Sequence, residues 1–334
     1  MKIIIPMAGM GKRMRPHTLT VPKPLIPIAG KPIVQRLVED LAKISTEPID
    51  EVAFVIGDFG KEVEENLCSI AHDMGIVPRI FYQSQPLGTA HAVLCAAPSL
   101  KGKVIVAFAD TLFRADFTLE NHSDGVIWVR QVADPSAFGV VKIDKKGIVT
   151  DFIEKPKSFV SDLAIIGIYY FKDGKNLKNE LQHLIDKNIM VNGEYQLTDA
   201  LQNMKNKGLK LRTSSVEEWF DCGNKEATLQ TTKRILELSK PDELISSCAK
   251  IINSIIIPPC FIGKEAIIEN SVLGPHLSVG KQSHVKNSIV RDSIIQRYTV
   301  VENVNIHNSI VGNHAEIVGV SSEVNIGDYT SLYR

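Results

Sequence analysis

A glycine loop with three cationic side chains follows the first apolar run of the sequence. Gly9 and Gly11 open the backbone N–H groups to close approach by a ligand, and Lys12, Arg13 and Arg15 lie within four residues of each other. Backbone donors combined with cations are what a polyphosphate needs. The loop is not a dinucleotide-binding GxGxxG pattern, because a methionine stands at the third glycine position, and not a P-loop, because no Ser or Thr follows the lysine. It therefore predicts a polyphosphate site of another kind.

A lysine between prolines and two aspartates are the next candidates for chemistry. Lys23 lies in VPKPLIP, where three prolines within six residues stiffen the segment and fix the lysine in place. Asp110 follows the apolar run VIVAFA, and Asp221 lies in WFDCGN. Taken alone, each aspartate is consistent with a structural role in capping or forming a turn. Together they supply the hard oxygen ligands that Mg²⁺ prefers beside phosphate and water.

Eight motifs occur in a fixed order over residues 1–240. They are MAGMGKRMRPHTLTVPKPLIPIAGKPIV, PLGTAHAV, VAFADTLF, AFGVV, FIEKPK, GIYYF, GEYQLTDA and WFDCGN. In content and order they resemble the sugar-1-phosphate nucleotidylyltransferases, and in particular the glucose-1-phosphate thymidylyltransferase-like members. The resemblance implies transfer of a nucleotidyl group from a nucleoside triphosphate to a sugar-1-phosphate, release of pyrophosphate, and Mg²⁺ as the cofactor.

The resemblance also implies a role for each site residue. Arg13 steadies the leaving pyrophosphate, Lys23 and Lys155 act on phosphoryl oxygens as catalytic residues, and Asp110 and Asp221 hold the metal. The expected nucleotide-binding residues are Ala8, Gly9, Gly11, Gln83, Gly88 and Thr89, and the expected sugar-binding residues are Gly139, Glu154, Gly167 and Glu194.

Two of these positions carry a further expectation. A regular strand would point the adjacent Glu154 and Lys155 to opposite sides, so their roles require the strand to twist or to end there. Gln83 stands five residues before the glycine of LGT, at the family position that recognises the base. Its amide can donate to O4 and accept from N3–H of thymine or uracil. This chemistry favours a pyrimidine nucleotide. The resemblance to the thymidylyltransferase-like members implies dTTP and glucose-1-phosphate as the substrates, with UTP or GTP as alternative nucleotides.

The elements that must position these residues are predicted by alternating strand and helix patterns up to about residue 110. This alternation indicates an α/β, Rossmann-like domain with a mixed, mainly parallel sheet whose carboxyl strand ends bind the ligand. From Gly125 to Lys172 the β-rich runs predict an antiparallel insertion or extension. Helical patterns return at 177–187, 196–207 and 225–238.

Beyond about residue 240 the chain changes to a repeat of aliphatic phrases. Aliphatic-Gly pairs recur at steps of 17, 16, 16 and 15 residues, if Ile295-Gln296 is a degenerate member. This period indicates a stacked solenoid, which resembles the hexapeptide-repeat left-handed parallel β-helix, with a β-sandwich as the alternative. The domain prediction is thus a nucleotidylyltransferase domain over 1–240 and a small β-helix over 241–334.

Three functions are weighed for the whole chain. The first is an active transferase whose β-helix assembles a homo-oligomer, so that a chain ending near Lys240 keeps the chemistry but forms a smaller assembly. The second is a bifunctional enzyme with an acetyltransferase tail, for which His276, His284, His307 and His314 are candidate bases. The third is a scaffold paralogue without turnover, against which the presence of Arg13, Lys23, Asp110 and Asp221 argues.

Composition narrows the partners and the compartment. The 38 basic and 38 acidic side chains give no net charge, which argues against a nucleic-acid partner. No apolar run approaches the roughly 20 residues of a membrane span, so no membrane partner is expected. The amino terminus lacks a cleavage signal, which predicts mature protein, and five cysteines without a CxxC pair fit a reducing compartment. The expected location is the cytoplasm.

Overall fold

The chain packs as two compact units. The computed structural model describes residues 1–115, 123–319 and 323–333. One unit, called here the sheet unit, comprises Met1–Gly9 and Leu37–Trp219, and the other, the solenoid unit, comprises Met10–Arg36 and Phe220–Arg334. The predicted domain boundary at residue 240 marks the end of the family motifs rather than a packing boundary, and it stays a prediction.

The elements before residue 240 follow the predicted alternation closely. In chain order they are β1 (Lys2–Pro6), β2 (Pro27–Ile28), β3 (Lys31–Pro32), α1 (Ile33–Ile44), β4 (Glu51–Ile56), α2 (Lys61–Asp73), β5 (Val77–Tyr82), α3 (Thr89–Cys95), β6 (Val104–Ala107), β7 (Thr111–Arg114), β8 (Gly125–Gln131), β9 (Gly139–Ile143), β10 (Val149–Glu154), β11 (Leu163–Phe171), α4 (Gly174–Asp186), α5 (Leu197–Asn206), β12 (Leu211–Ser215), β13 (Glu218–Asp221) and α6 (Lys225–Leu238).

The sheet unit is built on one mixed sheet of nine described strands in the order β10-β9-β11-β6-β1-β4-β5, with β8 pairing both β11 and β12. Strands β6, β1, β4 and β5 run parallel, whereas β11 is antiparallel to β6, β8 and β9. The predicted mainly parallel sheet with an antiparallel extension is confirmed. Ile3, Ile4 and Ile5 are fully buried, as expected for a central strand covered on both faces.

Amphipathic helices cover this sheet with their apolar stripes. Val93 of α3, Leu181 of α4 and Leu201 of α5 are fully buried and pack in one core with Ile4 and Val106 of the sheet. Burying such side chains stabilises the fold by about 1.5–3 kcal/mol each. The core therefore fixes the strand ends from which the site loops leave.

The solenoid unit contains three stacks of short parallel strands. In chain order these are β14 (Lys250–Ile252), β15 (Ile255–Ile256), β16 (Cys260–Ile262), β17 (Ile267–Glu269), β18 (Val272–Leu273), β19 (Leu277–Val279), β20 (His284–Lys286), β21 (Ile289–Arg291), β22 (Ser293–Ile295), β23 (Val300–Glu302), β24 (Asn305–His307), β25 (Ile310–Val311), β26 (Glu316–Val318), β27 (Asn325–Ile326) and β28 (Ser331–Tyr333). The stacks are β14-β17-β20-β23-β26-β28, β15-β18-β21-β24 and β16-β19-β22-β25-β27. This arrangement fits the predicted left-handed β-helix.

An Asn-Ser pair recurs at Asn253, Asn270 and Asn287 of the β-helix, and its recurrence has a direct structural cause. Asn253, Asn270 and Asn287 adopt left-handed backbone conformations at one corner of successive coils, a conformation that asparagine tolerates better than most residues. Their side chains form a ladder, with Asn253 Nδ2 donating to Asn270 Oδ1 at 2.8 Å and Asn270 Nδ2 to Asn287 Oδ1 at 3.3 Å. Gln296 takes the glycine position of its coil, because its N–H donates to Val311 O as Gly280 N–H does to Ile295 O. The predicted degenerate repeat is confirmed.

Candidate functional site

The first loop of the sheet unit leaves β1 at its carboxyl end. The Met7 N–H donates to Val55 O of the neighbouring strand at 2.8 Å, so the chain stays in the sheet until Ala8. A side chain added at Gly9 would meet nothing within 4 Å. Packing therefore does not require a glycine there, and the open space is compatible with the predicted close approach of a nucleotide.

Gln83 is held by two hydrogen bonds made by its own amide group. Its Nε2 donates to Gly88 O at 3.1 Å and lies 3.1 Å from His91 Nδ1. Burial lowers the pKa of His91, so the imidazole is neutral near pH 7 and its Nδ1 accepts. Both amide hydrogens are thus engaged, and the carbonyl oxygen remains for a ligand. The predicted donation from Gln83 to O4 of the base is not available in this arrangement, because the amide nitrogen serves the protein.

The LGT loop is fastened to the segment that opens α5. Gly88 has a φ of +106°, and a Cβ there would lie 2.5 Å from Tyr195 O, so only glycine fits. The Leu197 N–H donates to Thr89 Oγ1 at 2.9 Å, and the Ala90 N–H donates to Tyr195 O. The hydroxyl of Thr89 therefore caps α5. Its predicted role toward the nucleotide stays a prediction.

Glu154 and Lys155 lie where β10 ends. Lys155 has a φ of +42°, so the chain leaves the strand in a left-handed turn, as the predicted roles of the two residues require. A Cβ at Gly139 would lie 2.9 Å from Glu154 Oε2, and the glycine thus makes room for the carboxylate. Burial raises the pKa of Glu154, while the charge of Lys155 opposes the rise. A non-glycine residue in this backbone region is strained, and such strain is common at functional sites.

Two further carboxylates lie near Glu154. Glu194, a predicted sugar-binding residue, is exposed and accepts a hydrogen bond from Gln196 Nε2 at 3.1 Å. Its charge and that of Asp199 both raise the pKa of Glu154. Asp199 is absent from the sequence-based set of site residues. Its Oδ2 is buried without a hydrogen-bond partner among the described residues, and burial raises its pKa. The sequence signal that could have identified Asp199 is its position in GEYQLTD, five residues after Glu194.

Asp110 lies in the turn that follows β6, and hydrogen bonds to β11 hold this turn in place. The Phe108 N–H donates to Gly167 O at 2.9 Å, and Thr111 Oγ1 donates to Ile166 O at 2.9 Å. Gly167 has a φ of +86° and lies at the irregularity where β11 shifts its register against β8. These bonds hold both sides of Asp110, whose side chain is half-buried. Gly167 thus positions the Asp110 turn, and its predicted contact with the sugar stays a prediction.

The predicted phosphate-binding residues Arg13 and Lys23 lie in the solenoid unit on residues 10–36, called here the phosphate segment. Gly11 has a φ of +56°, and a Cβ there would lie 3.0 Å from Thr18 Cγ2 and 3.2 Å from Lys23 Cβ. Thr18 Oγ1 donates to Gly11 O at 2.8 Å. The glycine turn and Lys23 are therefore folded against each other, and the cations of this loop share one small region.

Arg13 and Asp221 meet at Gly223. A Cβ added there would lie 3.0 Å from Arg13 Nη2 and 2.9 Å from Asp221 Oδ1, so the ends of both side chains lie close to the Gly223 backbone. The Gly223 N–H donates to Asp221 Oδ1 at 2.8 Å, and Thr231 Oγ1 donates to Asp221 O. A guanidinium and a carboxylate are thus brought together from two distant parts of the sequence, both of which carry family motifs.

The predicted magnesium ligands are Asp110 and Asp221. The described residues contain no group of three or more histidine, cysteine, aspartate or glutamate side chains placed to hold a metal. Mg²⁺ commonly uses one or two carboxylates and takes its other ligands from phosphates and water. Asp110 of the sheet unit and Asp221 of the solenoid unit each offer an oxygen ligand of this type, and their role as metal ligands stays a prediction.

Comparison with known proteins places the chain in a family. The profile described as Nucleotidyl transferase matches residues 2–237. The chain belongs to the nucleotidyl transferase family. This confirms the resemblance to the sugar-1-phosphate nucleotidylyltransferases, because the matched residues contain all eight motifs.

Relatives agree with this assignment. The chain is 32% identical over 245 residues to the low-salt glycan biosynthesis nucleotidyltransferase Agl11 of Haloferax volcanii, covering 71% of this chain and 66% of that protein. It is 31% identical over 286 residues to a glucose-1-phosphate thymidylyltransferase of Streptomyces antibioticus, covering 79% and 78%. The fold is similar to that of a UDP-glucose pyrophosphorylase solved with UDP-glucose, with a TM-score of 0.59 and 23% identity over 71% of this chain and 99% of that one.

Proposed function

We propose that this nucleotidyl transferase joins a nucleoside triphosphate, in the first place dTTP, to a sugar-1-phosphate, in the first place glucose-1-phosphate, and uses Mg²⁺. The observation that carries the proposal is the meeting of Arg13 and Asp221 at Gly223. A cation for the triphosphate and a hard ligand for a metal are what nucleotidyl transfer requires.

The reaction needs no added acid or base. An oxygen of the sugar phosphate dianion attacks the α-phosphorus of the triphosphate, and a new P–O bond forms. The bond between the α-phosphorus and the oxygen bridging to the β-phosphorus breaks, and its electron pair leaves with pyrophosphate. The rate therefore depends on positioning and on charge stabilisation. Mg²⁺, when bound, neutralises phosphoryl charge as it builds up.

The chain's own residues position the two substrates and stabilise their charges. Arg13 stabilises the charge on the leaving pyrophosphate, and Lys23, folded against the Gly11 turn, contacts phosphoryl oxygens. Lys155 holds the phosphate of the acceptor, and Glu154 accepts hydrogen bonds from sugar hydroxyls. Asp110 and Asp221 are the proposed magnesium ligands.

Gln83 supports the choice of a thymine or uracil nucleotide. Its engaged amide hydrogens leave a carbonyl oxygen, which accepts from a base N–H and repels a base acceptor. Thymine and uracil present N3–H, and guanine presents N1–H, whereas cytosine and adenine present a ring nitrogen acceptor there. UTP and GTP are therefore the alternatives to dTTP. The similarity to the glucose-1-phosphate thymidylyltransferase of Streptomyces antibioticus favours dTTP and glucose-1-phosphate.

An acetyltransferase activity of the β-helix receives less support. His276 lies 3.2 Å from a Glu237 carboxylate oxygen, His284 lies 3.3 Å from one of Glu269, and His314 stacks between Tyr298 and Tyr329. Such contacts do not decide for or against a histidine base, and the first candidate function is preferred because the family profile covers the residues that it requires. Homo-oligomer formation through the β-helix and a cytoplasmic location remain predictions. No helix among the described residues has the length and apolar character of a membrane span.

A substrate panel tests the proposal. Purified protein with Mg²⁺ is assayed for pyrophosphate release with dTTP, UTP, GTP, CTP and ATP against several hexose-1-phosphates. We expect the highest kcat/KM with dTTP or UTP, and low values with CTP and ATP. Equal use of CTP and UTP would contradict the role given to Gln83, and acetyl transfer from acetyl-coenzyme A would favour the bifunctional alternative.

A further inference from the structure

The phosphate segment is packed against one face of the β-helix, within the solenoid unit. The face is the stack that contains β16, β22, β25 and β27. Its outward-pointing Ile294 and Ile310 are fully buried, whereas the outward Ile255 and Ile289 of the β15 stack are 61% and 47% exposed. The face is thus covered in this protein, and the β15 stack is not.

Contacts at both ends of this face reach the phosphate segment. At the first coil, a Cβ at Gly30 would lie 2.1 Å from Phe261 Cζ, so the segment's backbone rests directly on that ring. At the last coil, a Cβ at Gly327 would lie 3.0 Å from Pro16 Cβ. The β-helix therefore touches the segment on either side of Lys23.

Side chains of the last coil also bind the turn between Arg13 and Lys23. The buried His17 places its Nε2 2.7 Å from Asn325 Oδ1, and Thr20 Oγ1 donates to Asp328 Oδ2. Asp328 is itself held, because its Oδ1 accepts from the Asn313 N–H of the preceding coil at 2.6 Å. The turn is thus tied to a rigid stack of strands.

Thr18 connects the turn held by the last coil to the Gly11 backbone. This residue lies between His17 and Thr20, and its hydroxyl donates to Gly11 O. Its methyl group and Lys23 Cβ are the atoms that a side chain at Gly11 would meet. Movement of the turn that holds Thr18 would therefore displace the Gly11 backbone, to which Arg13 is joined two residues later.

We propose that Asn325 and Asp328 of the last β-helix coil are positioning residues for the nucleotidyl transfer: they hold residues 16–20 and thereby set Arg13 and Lys23 for the triphosphate. The proposal rests on the proposed function for its catalytic consequence. It gives the β-helix a role within each subunit, in addition to any role in assembly.

This packing changes one expectation from the sequence. A chain ending near Lys240 lacks Phe261, Asn325, Gly327 and Asp328 and with them the face on which the phosphate segment rests, which argues against the sequence-based expectation that such a chain keeps the chemistry. We now expect such a chain to lose nucleotide affinity. Local sequence patterns do not predict this packing, because the hydrogen-bonded partners are 308 residues apart.

The test uses substitutions in the full chain. Asn325→Leu removes the acceptor for His17, whereas Asn325→Asp keeps an acceptor and serves as the rescue. Asn305→Leu is the matched control, because Asn305 is an exposed outward residue on the β15 stack. Thr20→Val, which removes an exposed hydroxyl with little change of shape, replaces Asn325→Leu if that variant does not fold.

The kinetic readout separates positioning from general destabilisation. Asn325→Leu should raise the KM for the nucleoside triphosphate and for pyrophosphate about five- to tenfold, the effect of losing one part-buried hydrogen bond. The KM for the sugar-1-phosphate should not change, because its proposed ligands lie in the sheet unit. Asn325→Asp and Asn305→Leu should match the wild type. A lower melting temperature with unchanged KM values would overturn the proposal.

A second readout does not depend on activity. Amide hydrogen exchange over residues 11–20 should become at least severalfold faster in Asn325→Leu and stay unchanged in Asn305→Leu. If the wild-type protein releases no pyrophosphate with any substrate pair, the proposed function fails, and the exchange rates still decide whether the coil holds the segment. Equal exchange in both variants would refute the positioning role.

Discussion

Replacing Gln83 by methionine tests how the base is recognised. The substitution keeps the length of the side chain and removes its hydrogen-bonding groups. Gly88 O and His91 Nδ1 lose a donor that lies 3.1 Å from each, and the base loses the acceptor for its N3–H. A nucleotide that depends on this acceptor should bind less well, and one that is repelled by it should not.

The expected size follows from the cost of one unmatched polar group. Leaving a polar group without its partner in a partly buried site costs about 1–3 kcal/mol. At 1.4 kcal/mol per tenfold, kcat/KM for dTTP and UTP should fall roughly 5- to 150-fold. CTP presents a ring acceptor in place of N3–H, so its kcat/KM should stay the same or rise.

The assay is pyrophosphate release with UTP and CTP, at fixed sugar-1-phosphate, for the wild type and for Gln83→Met. Gln85→Met is the control, because Gln85 is an exposed residue of the same loop. The UTP-to-CTP ratio of kcat/KM should fall in Gln83→Met only. If the ratio is unchanged, or if all nucleotides weaken equally, Gln83 does not recognise the base.

Three further predictions concern the metal, the LGT loop and pH. Asp110→Asn or Asp221→Asn should lower kcat by at least roughly 10²-fold with an unchanged circular dichroism spectrum, and near-normal rates would reject the metal ligands. Gly88→Ala should lower the melting temperature measurably, because its Cβ would lie 2.5 Å from Tyr195 O, and an unchanged value would refute the close approach. Burial lowers the pKa of His17 from 6.5, so the folded form loses stability as the pH falls below about 6.5; the melting-temperature advantage over His17→Gln should shrink from pH 7.5 to 5.5, and a constant advantage would contradict this.

The groups around His17 shift its pKa in opposite directions. Desolvation is the main cause of its lowered pKa; its hydrogen bond to Asn325 and the charge of Asp328 oppose the lowering, and the charge of Lys225 adds to it. The imidazole therefore remains neutral near pH 7. A neutral ring with Nε2–H is the form that donates to Asn325 Oδ1, so protonation would require the buried Nδ1 to find an acceptor that the described residues do not offer.

Much of the fold was predictable because it depends on local patterns. Apolar runs such as Ile3–Ile5 predict buried strands, and the Asn-Ser phrase has a fixed period because each coil repeats the same left-handed corner. Gln296 at a glycine position could be predicted for the same reason. Such features depend on residues that are neighbours in the sequence or one coil apart.

The features that the sequence does not predict depend on contacts between distant residues. The sequence predicts that Gln83 meets the base, but not that His91 and Gly88 engage its amide hydrogens. The motif GEYQLTDA contains Asp199, but the sequence does not show that Oδ2 of this carboxylate is buried or that its charge acts on Glu154. In each case the chemistry is set by a partner that only the packed structure brings close.

The central claim is that this nucleotidyl transferase cleaves the α–β phosphate bond and transfers the nucleotidyl group to a sugar-1-phosphate. The most direct test incubates full-length protein with Mg²⁺, glucose-1-phosphate and dTTP labelled at the α-phosphate, and follows the products by chromatography and mass spectrometry. We predict that the label moves into a nucleotide-sugar and that one pyrophosphate forms for each one made. Release of inorganic phosphate instead, or no labelled nucleotide-sugar with any hexose-1-phosphate when dTTP, UTP or GTP is supplied, would contradict the claim.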